Sequence, residues 1–153
     1  MASGPKDPLK LIALDADDLS VISAHLQDAV AKVADMAFLP QEKRFAMLFN
    51  RFDWISAVGE GVAQRRRAGV HFDRVQKVRA RGFDLKDRET VLNLLAVEFD
   101  ERDAPSGLVT LFFSGDAAIQ LDVECLEAAI SDLGPAWLAH ERPDHGEIGR
   151  GKD

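Results

Sequence analysis

The chain reads as an α+β domain, an antiparallel meander of about six strands, curved or half-closed, with an N-terminal and a C-terminal helix packed on it. Three observations predict this class. Strand-like segments separated by short loops fill residues 36–123, helical periodicity is confined to the two ends, and no helix stands between strands as parallel crossovers require.

Residues 9–14, an apolar run between Pro8 and Asp15, form the first expected strand. Asp15 is placed to cap a helix, Asp18 sits where a carboxylate meets the free N-terminal amides, and Leu14 and Leu19 have the spacing of a hydrophobic staple. Leu19, Ile22, Leu26, Ala29 and Val30 make the apolar stripe, so the helix should end near Val30. Met36 and Phe38 open a second strand, residues 40–44 are a polar loop, and residues 45–54 return antiparallel. Residues 56–69, with Gly59, Gly61 and the run Arg65-Arg66-Arg67, hold little to bury and read as a mobile loop. Val70 and Phe72 resume alternation. Val75 and Val78 continue it in shifted phase, which predicts a bulge near Asp73-Arg74. Residues 82–89 are a polar connector, residues 91–99 a central strand and residues 100–106 a loop.

The stretch from Gly107 to Gly134 is expected to organise the rest. Leu111 to Phe113 is apolar enough for a sheet interior, Ser114-Gly115-Asp116 is a hairpin turn, and Ile119, Leu121 and Val123 alternate with polar residues. Val123, Leu126, Ile130 and Leu133 then recur at helical spacing, with Asp122 as cap and Gly134-Pro135 as stop, which predicts the closing helix. Residues 1–8 and 138–153 are expected to be flexible ends, and residues 9–137 a single domain. A pleckstrin-homology-like barrel, strands followed by a closing helix, is one version of this layout, by arrangement alone.

With 153 residues and 46% hydrophobic content the chain can bury a core without disulfides or metal. Its one cysteine, Cys125, falls on the expected closing helix and reads as a small apolar residue. The opening MASGPKDP lacks the pattern of a signal peptide, and no eighteen consecutive residues are apolar, so a cytoplasmic protein is expected. A net charge of -7 argues against wrapping nucleic acid. The charge is uneven, however. Arg65, Arg66, Arg67, Arg74, Lys77, Arg79, Arg81, Lys86 and Arg88 crowd one segment against Asp73, Asp84 and Asp87.

No catalytic set emerges. LIALDADDL, residues 11–19, resembles the nucleophile loop of haloacid-dehalogenase-type phosphatases, which would make Asp15 the nucleophile and Asp17 the acid and base beside Mg²⁺. The resemblance departs at Leu19, where that family has Thr or Val, and the strand-rich remainder lacks the parallel sheet such chemistry needs; helix capping accounts for all three aspartates. Residues 100–103 lack the spacing of a calcium loop, and His25, His71, His140 and His145 share no zinc spacing, so neither metal nor cofactor is assigned. Gly59-Glu60-Gly61 before Arg65 has the ingredients of a phosphate cradle without the phosphate-loop signature. His71 and Asp73 share a strand face and, with Arg74, form the candidate pocket.

Three segments carry a wider resemblance: AFLPQEKRFAMLFNRFDW (residues 37–54), RRRAGVHFDRVQKVRARG (65–82) and AIQLDVECLEAAISDLGPAW (118–137). Across most of residues 9–137 the chain resembles a family of small bacterial proteins known only as a domain of unknown function. The resemblance brings no catalytic or binding residue. It suggests gene neighbours in histidine biosynthesis and cell-wall precursor synthesis, which imply no activity.

Three functions are consistent with these features. The first is a non-catalytic interaction or adaptor module holding an acidic protein partner through Arg65, Arg66, Arg67, Arg74, Lys77, Arg79 and Arg81. The second is a small enzyme or ligand-binding accessory protein of amino-acid metabolism using His71, Asp73 and Arg74. The third is a structural homo-oligomer pairing through sheet edges.

Overall fold

The computed structural model describes residues 8–52 and 64–138. In chain order it comprises β1 (Lys10–Ala13), α1 (Ala16–Leu26), β2 (Val30–Lys32), β3 (Met36–Leu39), β4 (Arg44–Phe52), β5 (Gln64–Phe72), β6 (Val75–Arg81), β7 (Val91–Glu101), β8 (Gly107–Phe113), β9 (Ala117–Val123) and β10 (Ala128–Leu138). A single 3₁₀ turn, Val33–Asp35, joins β2 to β3. Every pairing is antiparallel, in the order β1-β10-β5-β4-β2-β7-β8-β9-β6, with β3 sharing with β2 the second edge of β4. No ladder joins β1 to β6 among the described residues, so the sheet is open.

Connectivity forces this sheet to curl. β5 and β6 lie far apart in the strand order, yet only Asp73 and Arg74 separate them in sequence. Two residues span only about 7 Å even when extended, so the β6 edge must come round to the end of β5. The inner face then closes on itself: Phe45, Met47, Phe49, Val70 and Phe72 share one buried cluster with Leu94, Val97, Leu111, Phe113, Ile119 and Leu121. Phe45, Phe49, Phe72 and Phe113 are each at most 2% exposed.

Helix α1 fills the remaining opening. Asp15 Oδ1 accepts from the Asp18 amide at 2.8 Å, and Asp18 Oδ2 accepts from the Leu14 amide at 3.2 Å, a reciprocal cap that uses two of the aspartates. Leu19, Ile22 and Leu26 face the core. β2 covers only residues 91–93 of one edge of β7, and the helix end takes over beyond it. The Asp28 amide donates to the Leu94 carbonyl at 2.8 Å, and the Val97 amide donates to Ser23 Oγ at 2.9 Å. A strand edge that would otherwise stand open is thereby covered.

Several expectations are corrected. Among the described residues there are ten strands rather than about six, and helix α1 stops at Leu26 because Asp28 adopts φ 66° and turns the chain into β2. The expected bulge at Asp73-Arg74 is a corner between two strands, with Arg74 at φ 62°. Arg65, Arg66 and Arg67 lie on β5, not in a mobile loop; Gly59 and Gly61 lie outside the described residues, as do Trp54, His140 and His145. The closing helix is a strand. β10 turns Ala128, Ile130 and Asp132 inward and Ala129, Ser131 and Leu133 outward, and Gly134, at φ 79°, precedes a register shift in the ladder to β5. The helical spacing of Leu126, Ile130 and Leu133 therefore joins residues from both faces of a strand, and the layout that depended on a closing helix loses it. Cys125 is half-buried in the connection from β9 to β10.

At one end of the core the inward positions of three neighbouring strands are charged. Arg51 of β4 is 4% exposed, Arg66 of β5 is 2% exposed, and the side chain of Asp132 of β10 is fully buried. Arg51 grips Asp132 with both arms of its fork, Nε to Oδ1 at 2.9 Å and Nη2 to Oδ2 at 2.8 Å, and Arg66 Nε stands 3.9 Å from Oδ2. The Leu9 amide donates to the same Oδ2 at 2.7 Å and so ties the start of β1 into the cluster. Removing one partner of such a group strands the other charge in the interior, at a cost of about 3–5 kcal/mol. Asp132→Ala is therefore expected to lose about that much stability in urea unfolding, with residues 9–13 losing hydrogen-exchange protection first.

The corner is held by a second, exposed network. The Val75 amide donates to the Lys43 carbonyl at 2.8 Å, the Glu124 amide to the Arg74 carbonyl at 2.9 Å, and Lys43 Nζ to Glu124 Oε2 at 2.6 Å. The Lys43 hydrogen bond is the main cause that lowers the Glu124 carboxyl below the ordinary glutamate range. With the folded value below the unfolded one, the pair supports the native state at neutral pH and ceases to as the pH falls through that lowered value. In a carboxyl NMR titration Glu124 should protonate at lower pH than a free glutamate, and Lys43→Met should move it back up.

Candidate functional site

The alternation that buries one face of β4, β5 and β10 leaves the other face open, and its register can be read across the strands. Ala37, Ala46, His71, Ala129 and Ile12 form one row; Leu48, Gly69, Ser131 and Lys10 form the next. Small side chains at Ala46, Gly69 and Ser131 sink the middle of this face into a groove of about 450 Å³, walled by Ala34, Asp35 and Arg88 on the β3 side and by Leu133 on β10. A narrower hollow of about 140 Å³ continues it past Asp35 and Leu48 toward Asn50 and Arg67.

Gly69 is the key position on the floor. It lies in the interior of β5, paired on both sides, and no left-handed backbone requires a glycine there. A Cβ would meet Leu133 Cδ1 at 3.4 Å and Leu48 Cδ2 at 3.9 Å, which is ordinary contact. Glycine inside a strand costs roughly 0.5–1 kcal/mol relative to alanine, and here its visible effect is to keep the floor low, as where another molecule approaches the backbone closely.

The rim is polar and mostly paired. Arg44 Nε donates to Asp73 Oδ1 at 2.7 Å, and this bond is the main cause that raises the Arg44 pKa above its ordinary value. His71 Nδ1 is buried 3.4 Å from Asp73 Oδ2 without hydrogen-bond geometry. Arg67 Nη2 stands 3.9 Å from Asp35 Oδ2. Arg88 differs: its Nη2 donates to the Ala34 and Met36 carbonyls at 3.1 and 3.3 Å, and no carboxylate among the described residues pairs with it. Ser131 borders the groove, but no hydrogen bond joins it to His71 among the described residues, and no group of three metal-ligating side chains is found there.

The basic residues singled out in the sequence do not share one surface. Arg65 and Arg67 point outward from β5, Arg65 with its guanidinium 4.6 Å from the Phe52 ring centroid, whereas Arg66 points into the core. Arg74 at the corner lies 3.4 Å from Glu127. Lys77, Arg79 and Arg81 are on β6 at the far end of the sheet, where Arg79 reaches both oxygens of Asp122 at 3.1 Å. Of the candidate pocket, His71 and Asp73 do come together; Arg74 turns away, and Arg44 takes the place expected for it. Arg44, Gly69 and Arg88 were invisible as a group, because the sequence places them in three separate loops or connectors. Gly69→Ala is expected to raise stability by about 0.5–1 kcal/mol in urea unfolding; a loss of stability would show instead that the fold itself needs the glycine.

No helix among the described residues is long and apolar enough to cross a membrane. No curated protein and no solved structure matches the chain. Residues 9–145 match a family described as protein of unknown function (DUF2948), and the chain belongs to that family.

Proposed function

We propose that this protein is a non-catalytic binding module that receives an acidic partner in the groove on the outer face of β3, β4, β5 and β10. The observation that carries the reading is the pairing of Gly69 with Arg88: a floor kept open at a stability cost, under a guanidinium with no carboxylate partner among the described residues. In a chain of net charge -7, a cation beside an apolar hollow with no carboxylate partner among the described residues favours a ligand that brings both a carboxylate and apolar surface. The basic-segment reading is narrowed accordingly. Arg66 belongs to the core, Arg67 lies on the groove side of β5, and Arg44 and Arg88 join it from β4 and from the connector between β6 and β7.

The choice of variants follows from this geometry. Reversing Arg65, Arg66 and Arg67 together would put a carboxylate at position 66 beside Asp132 and unfold the protein, so lost capture would mean nothing. Arg88→Glu reverses an exposed charge and gives up the two bonds to the Ala34 and Met36 carbonyls, so it is used beside Arg88→Gln, with native circular dichroism required of both. In parallel pull-downs, a species retained by the wild type should fall roughly tenfold with Arg88→Glu and elute at moderate salt, where exposed charge pairs are screened over about 10 Å. Arg79→Glu, on the opposite edge, should change nothing, and equal retention by Arg88→Glu would remove the groove from the account.

A further inference from the structure

We infer that the groove's occupant is an amphipathic α-helix with acidic residues toward both ends; this rests on the binding reading above and adds the partner's conformation and charge pattern. The first argument is the state of the backbone beneath the groove. β5 is paired through the same residues to β10 on one side and to β4 on the other, Gly69 lying opposite both Ser131 and Leu48. The floor therefore has no free strand edge to offer. An extended peptide laid there would bury its own N–H and C=O groups against side chains without partners, whereas a helix brings its backbone hydrogen bonds with it.

Shape and charge agree with this. Ala46 on β4, Gly69 on β5 and Ser131 on β10 make a shallow trough running across the strands, suited to a cylinder about 10 Å across. Leu48 and Leu133, the latter 44% exposed, border it and supply apolar contacts for one stripe of the helix. Exposed cations stand toward its two ends: Arg88 beyond β3, and Lys10 on β1, opposite Ser131 and without a carboxylate partner among the described residues. β1 and β3 are four strand spacings apart in the ladder, roughly 19 Å, about the length of a helix of 13 residues. Acidic side chains toward both ends of the helix would meet them.

The test is selection of 14-residue peptides from a randomised display library on the full chain, with counter-selection on Gly69→Val, checked for native circular dichroism. Enriched peptides should carry apolar residues at i, i+3 or i+4, and i+7, with Asp or Glu toward both ends and no internal proline. Replacing a central residue by proline, or using Arg88→Glu or Lys10→Glu protein, should weaken a selected peptide at least tenfold in fluorescence anisotropy. Acidic peptides with alternating apolar residues that tolerate proline would overturn the helix while leaving acidic binding intact. Enrichment of basic peptides, or none that survives counter-selection, would overturn both. A wild type that is dimeric in light scattering, with a monomeric Gly69→Val, would give the groove to a second copy and also end the proposal.

Discussion

The two-residue corner at Asp73 and Arg74 sets the terms for everything else in this fold. Because it joins strands from distant positions in one sheet, the sheet cannot lie flat; it must curl until β5 and β6 stand within two residues of each other. Arg74 accepts a left-handed conformation, φ 62°, which a non-glycine residue adopts only when its surroundings insist on it. The surroundings are visible: its carbonyl is held by the Glu124 amide, and the Asp73 amide is held by the Glu127 carbonyl. Curling assigns the large apolar side chains to the inside. The outer face of β4, β5 and β10 receives what alternation leaves over, and there it is small.

Inside, the buried charge cluster complements the apolar packing. Hydrophobic contacts reward any inward set of large side chains, and a strand slipped by two residues would still bury one. Asp132 admits no such slip. Its carboxylate must meet Arg51 two strands away, and the Leu9 amide just ahead of the neighbouring strand, at hydrogen-bonding distance. A displaced register would leave guanidinium and carboxylate buried apart, a far larger loss than a mismatched methyl group. The cluster thus pins β1, β10 and β4 to one alignment, and with them the rows that make up the outer groove.

How far the sequence disclosed this follows from which forces are local. The helix start was legible because capping acts within four residues: Asp15, Asp18 and Leu19 state it without reference to the rest of the chain. Alternation likewise revealed β4 and β9, and a nearly continuous apolar run revealed β7. The closing helix was misread because Leu126, Ile130 and Leu133 mimic a helical stripe, while the strand's true inward set is Ala128, Ile130 and Asp132, two of them small or charged. The same blindness put Arg65-Arg66-Arg67 in a loop. A charged residue on an inward face looks like surface until its partner, here Asp132 far along the chain, is known. The site was less legible still. Arg44, Gly69, His71, Arg88 and Ser131 meet only through long-range pairing, and nothing in their spacing announces it.

The outer face itself poses a physical question that the core does not. A sheet face turned to water is commonly lined with β-branched and charged side chains, which pack across the strands and keep other molecules away. β6 follows that habit, with Gln76, Lys77, Arg79 and Arg81 exposed along an edge that could otherwise pair with another chain. The middle of the outer face does not: Ala37, Ala46, Gly69, Ala129 and Ser131 forgo cross-strand packing at neighbouring positions of four strands. Gly69, at least, weakens the sheet a little and serves no turn. Charge along β6 disfavours pairing with another strand there, and small residues leave the middle of the outer face low.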